Sequence, residues 1–215
     1  MAAIAIWRWV LLSLLRNPAL GVIWLLLAAL PSLQTLAFLS SSWGVLDICR
    51  EWSFAAGLVG ASSGLVALSR GRPFLARFDA QTRFGGELGA ILVASFYLQI
   101  PILVGVLVGG ADLRDLGPAL PVILTSDLHL AGIALLLLVS SMSTPLCLSL
   151  FLAAAWLLPA LCAGNAPLAR ASVWLDASAA LRAGADGLPS ALVPAATLVL
   201  AAQLLRTRPP PSPAG

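Results

Sequence analysis

The stretch Leu128–Leu161, LHLAGIALLLLVSSMSTPLCLSLFLAAAWLLPAL, joins two apolar runs through a Ser-Ser-Met-Ser-Thr turn. Extended by its neighbours, each run reaches about the 20 residues with which an α-helix crosses a bilayer. Only Met142, Ser143 and Thr144 separate the runs from about Pro121 to Ser141 and from Pro145 to Ala163, so they read as a tight antiparallel hairpin of membrane helices. The whole chain has the same character. Of 215 residues, 60% are hydrophobic and 10% charged, and the mean hydropathy is +0.99. Soluble domains carry roughly 25% charged residues, and a water-soluble fold could not hide this much apolar surface.

Working outward, four more blocks have the length of a span. The first runs from about Leu20 to Leu39 and ends at Ser40, Ser41, Ser42 and Trp43. The second covers Ser53 to Ser69, with Asp47, Arg50 and Glu51 before it and Arg70 and Arg72 after it. The third, Leu88 to Val108, contains Pro101 as an expected kink, and the sixth runs from Leu188 to Leu205. A short loop, Gly109 to Gly117, carries Asp112, Arg114 and Asp115 ahead of the hairpin. The expected fold is therefore an all-α integral membrane protein with six transmembrane helices, its membrane domain spanning residues 19–208. The Pro-rich residues 209–215 read as an extended, disordered tail.

Ahead of the first span, AAIAIWRWVLLSLLR (residues 2–16) is too short to cross, and the polar stop Arg16-Asn17-Pro18 follows it. Trp7, Arg8, Trp9 and Arg16 suit a helix lying at the interface, so residues 1–18 read as an N-terminal interfacial amphipathic helix. A signal peptide is the rival reading, but no small-x-small cleavage site precedes the next apolar block.

The basic residues are all arginine, and their placement gives an orientation. With the N-terminus inside, Arg8, Arg16, Arg70, Arg72, Arg77, Arg83, Arg206 and Arg208 are cytoplasmic, and Arg50, Arg114, Arg170 and Arg182 are outside. The positive-inside rule then puts both termini in the cytoplasm, and the location expected is a bacterial inner membrane. The absence of lysine excludes Schiff-base chemistry and the phosphate-loop lysine. The net charge of +3 is too small and dispersed for nucleic acid. Cys49, Cys147, Cys162 and the single His129 are too scattered for a protein-bound metal or haem, and no cofactor is expected.

Four features could carry function. Between the second and third spans lies SRGRPFLARFDAQTRFGGE (residues 69–87), where Pro73 suits a first helical turn. A short amphipathic helix is expected over Phe74–Phe84, ended by Gly85-Gly86, that either docks on headgroups or meets a cytoplasmic partner. On the other face, residues 164–187 form a semi-apolar segment whose Leu168, Trp174, Leu175 and Leu181 could line short helices dipping into the interface. Asp127 and His129 lie in the outer third of the fourth span, as an interfacial polar pair or as candidate substrate-path groups. A carboxylate near the bilayer centre costs at least about 2.5 kcal/mol when ionised. Two apart on a helix, they point about 200° apart and cannot form a dyad. Finally, Gly60-Ala61-Ser62-Ser63-Gly64 fits G-x-S-x-G, the nucleophile turn of soluble hydrolases, but lies within an apolar helix. Gly57, Gly60, Ala61 and Gly64 instead make a small-residue face for helix packing.

This layout resembles the membrane subunits of ABC-2 type transporters, with Leu128–Leu161 the local sequence most like that family. Length and layout also resemble the haem-exporter B-type permease branch, whose charged stretch after the second span is similar to Arg70–Glu87. The resemblance implies that the segment after Arg72 is a coupling helix, with Phe74, Leu75, Arg77, Phe78, Gln81 and Arg83 contacting an ATP-hydrolysing subunit. It implies a non-enzymatic permease whose ATPase is a separate polypeptide, because this chain has no G-x-x-x-x-G-K-[ST]. Six spans would be half a transporter, so the other expected partners are a second permease copy and membrane lipid. The alternative is a membrane-embedded lipid-modifying enzyme or assembly factor.

Overall fold

The computed structural model describes residues 2–38, 45–140, 142–162, 174–183 and 186–207. Among them every regular element is a helix, and six helices are long and apolar enough to cross a membrane. The chain runs through α1 (Ala2–Leu15), α2 (Pro18–Phe38), α3 (Val45–Arg70), the one-turn α4 (Arg72–Leu75) and α5 (Ala80–Val108). It continues with the one-turn α6 (Leu113–Leu116), α7 (Ala119–Val139), α8 (Thr144–Cys162), α9 (Ala179–Ala183) and α10 (Leu188–Thr207). A π turn, Ala153–Leu157, interrupts α8. The spans α2, α3, α5, α7, α8 and α10 alternate in direction. One end of the bundle gathers Arg70, Arg72, Arg77, Arg83 and Arg206, and the other gathers Asp47, Glu51 and Asp112. We refer to the arginine-rich end and the acidic end.

Helices α3, α5 and α7 form the core, and α2, α8 and α10 are mostly exposed along their lengths. Such exposure suits lipid, which solvates the bare leucines of α2 and α10 as well as a protein interior would. Without a hydrophobic driving force between helices, close packing requires small residues at the contacts. A Cβ on Gly60 would lie 2.5 Å from the Cα of Ser95 and 2.6 Å from the carbonyl oxygen of Ala94, and one on Gly64 would lie 3.2 Å from the Cα of Ile91. The Gly60-x-Ser62-x-Gly64 motif is thus the seam between α3 and α5, with Ala61 fully buried beside it.

Three departures from the sequence reading have clear physical causes. First, α3 begins at Val45, so Asp47, Arg50 and Glu51 belong to the helix and not to a loop. Their charges are partnered: Arg50 reaches Asp47 at 3.3 Å, and Gln34 of α2 donates to Glu51 at 2.9 Å. Second, α1 packs lengthwise on α5, a contact not read from the sequence. Its Ile6, Val10 and Leu14 form a buried stripe, Ile6 sits over Gly86, Trp7 over Gly89, and Leu11 and Leu15 reach the level of Leu92 and Phe96. Third, α8 buries only a narrow stripe, Cys147, Phe151 and Ala155, plus Cys162 at its end, so the turn after α7 is short but the two helices do not zip together.

Of the segment 164–187, α9 and the residues around it are described, with Leu181 buried and Trp174 exposed. Leu168, the serines after the first span and the 209–215 tail lie outside the described residues.

Candidate functional site

The segment expected to be one helix over Phe74–Phe84 is two pieces. Helix α4 starts on Gly71 with Pro73 in its first turn and stops at Leu75, and the chain turns through Ala76–Phe78. Asp79 then begins a new helix, its carboxylate accepting from the backbone N–H of Thr82 at 2.9 Å. Hydrogen bonds from Thr82 hold this exposed carboxyl below the usual aspartate range. Gly85 and Gly86 do not stop a helix; they lie inside α5, where Gly86 leaves room for Ile6. The expected amphipathic face is also redistributed. Leu75 is fully buried, Phe74 packs on Trp9 with ring centres 5.9 Å apart, and Phe78 meets Phe74 edge-on at 5.2 Å. Arg83 donates to Glu87 at 2.8 Å, leaving Arg77 and Gln81 as the exposed members of the set.

This turn is tied to its surroundings by Arg72. Its guanidinium donates to the carbonyls of Met142 at 2.7 Å and Ser140 at 2.9 Å, holding the connection between α7 and α8, and Ser69 meets the hydroxyl of Thr144 at 2.9 Å. The carbonyls that α7 leaves without helical partners at its C-terminus thereby gain a cationic donor. Deeper at the same end, Glu87 is 1% exposed and accepts from Arg83 and, at 2.6 Å, from Arg206 at the end of α10.

Toward the acidic end the polar chemistry differs. Gln99 of α5 donates through Nε2 to the carbonyl of Ser53 on α3 at 3.0 Å and to Oδ1 of Asp127 on α7 at 3.2 Å. One amide thus ties the three core helices together. Among the described residues, three buried atoms of this cluster have no partner: Asp127 Oδ2, Gln99 Oε1 and Ser53 Oγ. Each such orphan costs about 1–3 kcal/mol, so the cluster is incompletely satisfied. Gly57 is required beside it, since a Cβ there would stand 2.5 Å from Asp127 Oδ1. Asp127 also lines a cavity of about 820 Å³ between α1, α5 and α7, with otherwise apolar walls that include Phe96, Ile100 and Leu128.

Asp127 and His129 diverge, as their spacing requires. His129 Nε2 lies 2.9 Å from the carbonyl oxygen of Trp174, and Ser126 donates to the carbonyl of Ala177 at 2.8 Å, so this face of α7 pins the segment leading into α9. Asp127 and His129 are both buried. Sequence reasoning found Asp127 but missed Gln99, although an amide in an apolar span is itself a signal of an interior hydrogen bond. Among the described residues no cluster of three His, Cys, Asp or Glu side chains could hold a metal. No family model, no curated protein and no solved structure matches this chain.

Proposed function

We propose that this chain is the membrane-spanning permease subunit of an ATP-driven transporter of the ABC-2 type, working with a separate ATPase and a second permease copy. What supports the reading is the linkage of the turn Gly71–Asp79. Through Trp9–Phe74 it touches α1, and through Arg72 and Ser69 it touches the α7–α8 connection, while Arg77 on the turn and Gln81 at the start of α5 are exposed. A subunit pressing on Arg77 would therefore move two separate parts of the bundle at once. The arginine-rich end is the cytoplasmic one in this reading.

The test is co-expression with ATPase subunits encoded near this chain, followed by affinity purification. A co-purifying ATPase, lost on Arg77→Glu and kept on Arg114→Gln at the opposite end, supports the proposal. A protein that performs its function alone, with Arg77→Glu silent, overturns it.

The second reading, a membrane-embedded lipid-modifying enzyme or assembly factor, is favoured by one observation: the unpartnered Oδ2 of Asp127 at an apolar cavity of about 820 Å³. Loss of a lipid-modifying activity on Asp127→Asn, with the Arg77 variant silent, would decide for it.

A further inference from the structure

A second polar site lies at the arginine-rich end, beside the turn, with which it shares Trp9, and away from Asp127. Two cavities, of about 300 and 400 Å³, adjoin where α1 gives way to α2, and both are walled by Trp9, Ser13, Asn17 and Arg70. Arg16 lines the second, and Ser62, Ser63 and Leu148 line the first, so the cleft is bounded by α1, α3 and α8. Along α3, Ser62 stands about 12 Å from Arg70 at the helical rise of 1.5 Å per residue. The cleft thus runs from the end of a span to two turns inside it.

Its chemistry is one-sided. Among the described residues no carboxylate lines either cavity, and neither Arg16 nor Arg70 donates a side-chain hydrogen bond or joins an ion pair, whereas Arg50, Arg83, Arg182 and Arg206 each hold a carboxylate. Asn17 uses Oδ1 to accept from the N–H of Ala19 at 3.1 Å, which leaves its amide donors for the cleft. Ser62 Oγ is buried and has no hydrogen-bond partner among the described residues. The G-x-S-x-G motif therefore divides its labour: Gly60 and Gly64 face α5, and Ser62 faces this cleft. Backbone donors contribute little, because the N–H groups of Leu20 and Gly21 already bond to the carbonyl of Asn17. Two free guanidiniums with amide and hydroxyl donors and no acidic neighbour select an anion with several acceptor oxygens. Leu14, Leu20, Val66 and Leu148 continue the same wall as aliphatic surface.

We infer that this cleft binds the phosphate of an anionic membrane lipid in the leaflet at the arginine-rich end, with Arg16 and Arg70 on the phosphate, Ser62 at its deep side and the leucines along an acyl chain. The depth and the aliphatic wall favour a lipid over a free anion, which would have to leave water without bringing an apolar body to fill the wall. The inference is independent of the transport reading.

The experiment is native mass spectrometry of the purified full chain in neutral detergent, titrated separately with phosphatidylglycerol, phosphatidylcholine and inorganic phosphate. The wild type is expected to retain phosphatidylglycerol preferentially, and Arg16→Gln and Arg70→Gln each to weaken that retention about fivefold. Arg16→Lys should keep most of it, Ser62→Val should lose about twofold, and Arg114→Gln should leave it unchanged. Equal retention of phosphatidylglycerol and phosphatidylcholine by the wild type, or retention unaffected by both glutamine variants, overturns the site. Displacement of the lipid by inorganic phosphate at comparable concentration would show a free-anion site and overturn the lipid assignment.

Discussion

Two buried carboxylates in this molecule are treated in opposite ways. Glu87 and Asp127 are each 1% exposed on core helices, yet Glu87 receives Arg83 from its own helix and Arg206 from α10, whereas Asp127 receives one amide hydrogen from Gln99. The Glu87 cluster is a latch: opposite charges meet with hydrogen-bonding geometry, and the last span is tied to the third. The Asp127 cluster ties three spans but leaves an oxygen of its carboxylate, a hydroxyl and an amide oxygen unpaired among the described residues. A buried group that structure alone does not satisfy is the better candidate for a task, because stability gives no reason to keep it.

The largest effect should come from breaking the latch. Glu87→Gln strands Arg206 and Arg83 beside an uncharged amide and should destabilise the bundle by about 3 kcal/mol, seen as a lower melting temperature in detergent. Pairing it with Arg206→Gln should recover part of the loss, and strict additivity of the two variants would refute the latch. Next in size, Gly57→Ala should cost about 1–3 kcal/mol by driving a methyl group into Asp127 Oδ1. Gly86→Ala would press closest on the Cδ1 tip of Ile6, with the Ile6 Cβ next at 3.2 Å, and should cost less because that tip can rotate away, so the reverse order in a thermal assay would break the contrast between the two regions. Arg72→Ala should cost about 1–2 kcal/mol by removing the donor to Ser140 and Met142, and should raise proteolysis at the α7–α8 connection. Smallest of all, Asp127→Asn should change stability by less than about 1 kcal/mol in either direction, while transport should fall sharply. A strongly destabilised Asp127→Asn protein with normal activity would make that cluster a latch like the other.

Much of the architecture was legible because lipid imposes a simple rule on composition. The apolar blocks needed only length and hydropathy to be placed, and the small-residue spacing Gly57, Gly60, Ala61, Gly64 announced a close contact before its partner was known. Boundaries that depend on pairing were not legible. Asp47, Arg50 and Glu51 look like a loop until Gln34 and an i, i+3 pair are seen to hold them on a helix. The Phe74–Phe84 segment looks like one amphipathic helix until Asp79 is seen capping the next one and Trp9 is seen taking Phe74.

The candidate sites show the same division. Asp127 could be flagged by charge alone, but its solitude depends on Gln99 and Ser53, which lie on other helices. Arg16 and Arg70 are distant in the chain and unremarkable as positive-inside arginines; only the seating of α1 between α5 and α3 brings them to one cleft with Ser62.

Sequence by itself determined that this chain folds into apolar helices, six of them among the described residues long enough to cross a membrane, since a bilayer offers no partner for backbone groups except the helix's own. Tertiary structure decided which polar side chains find partners and which are left waiting, because that depends on how helices far apart in sequence turn their faces toward one another.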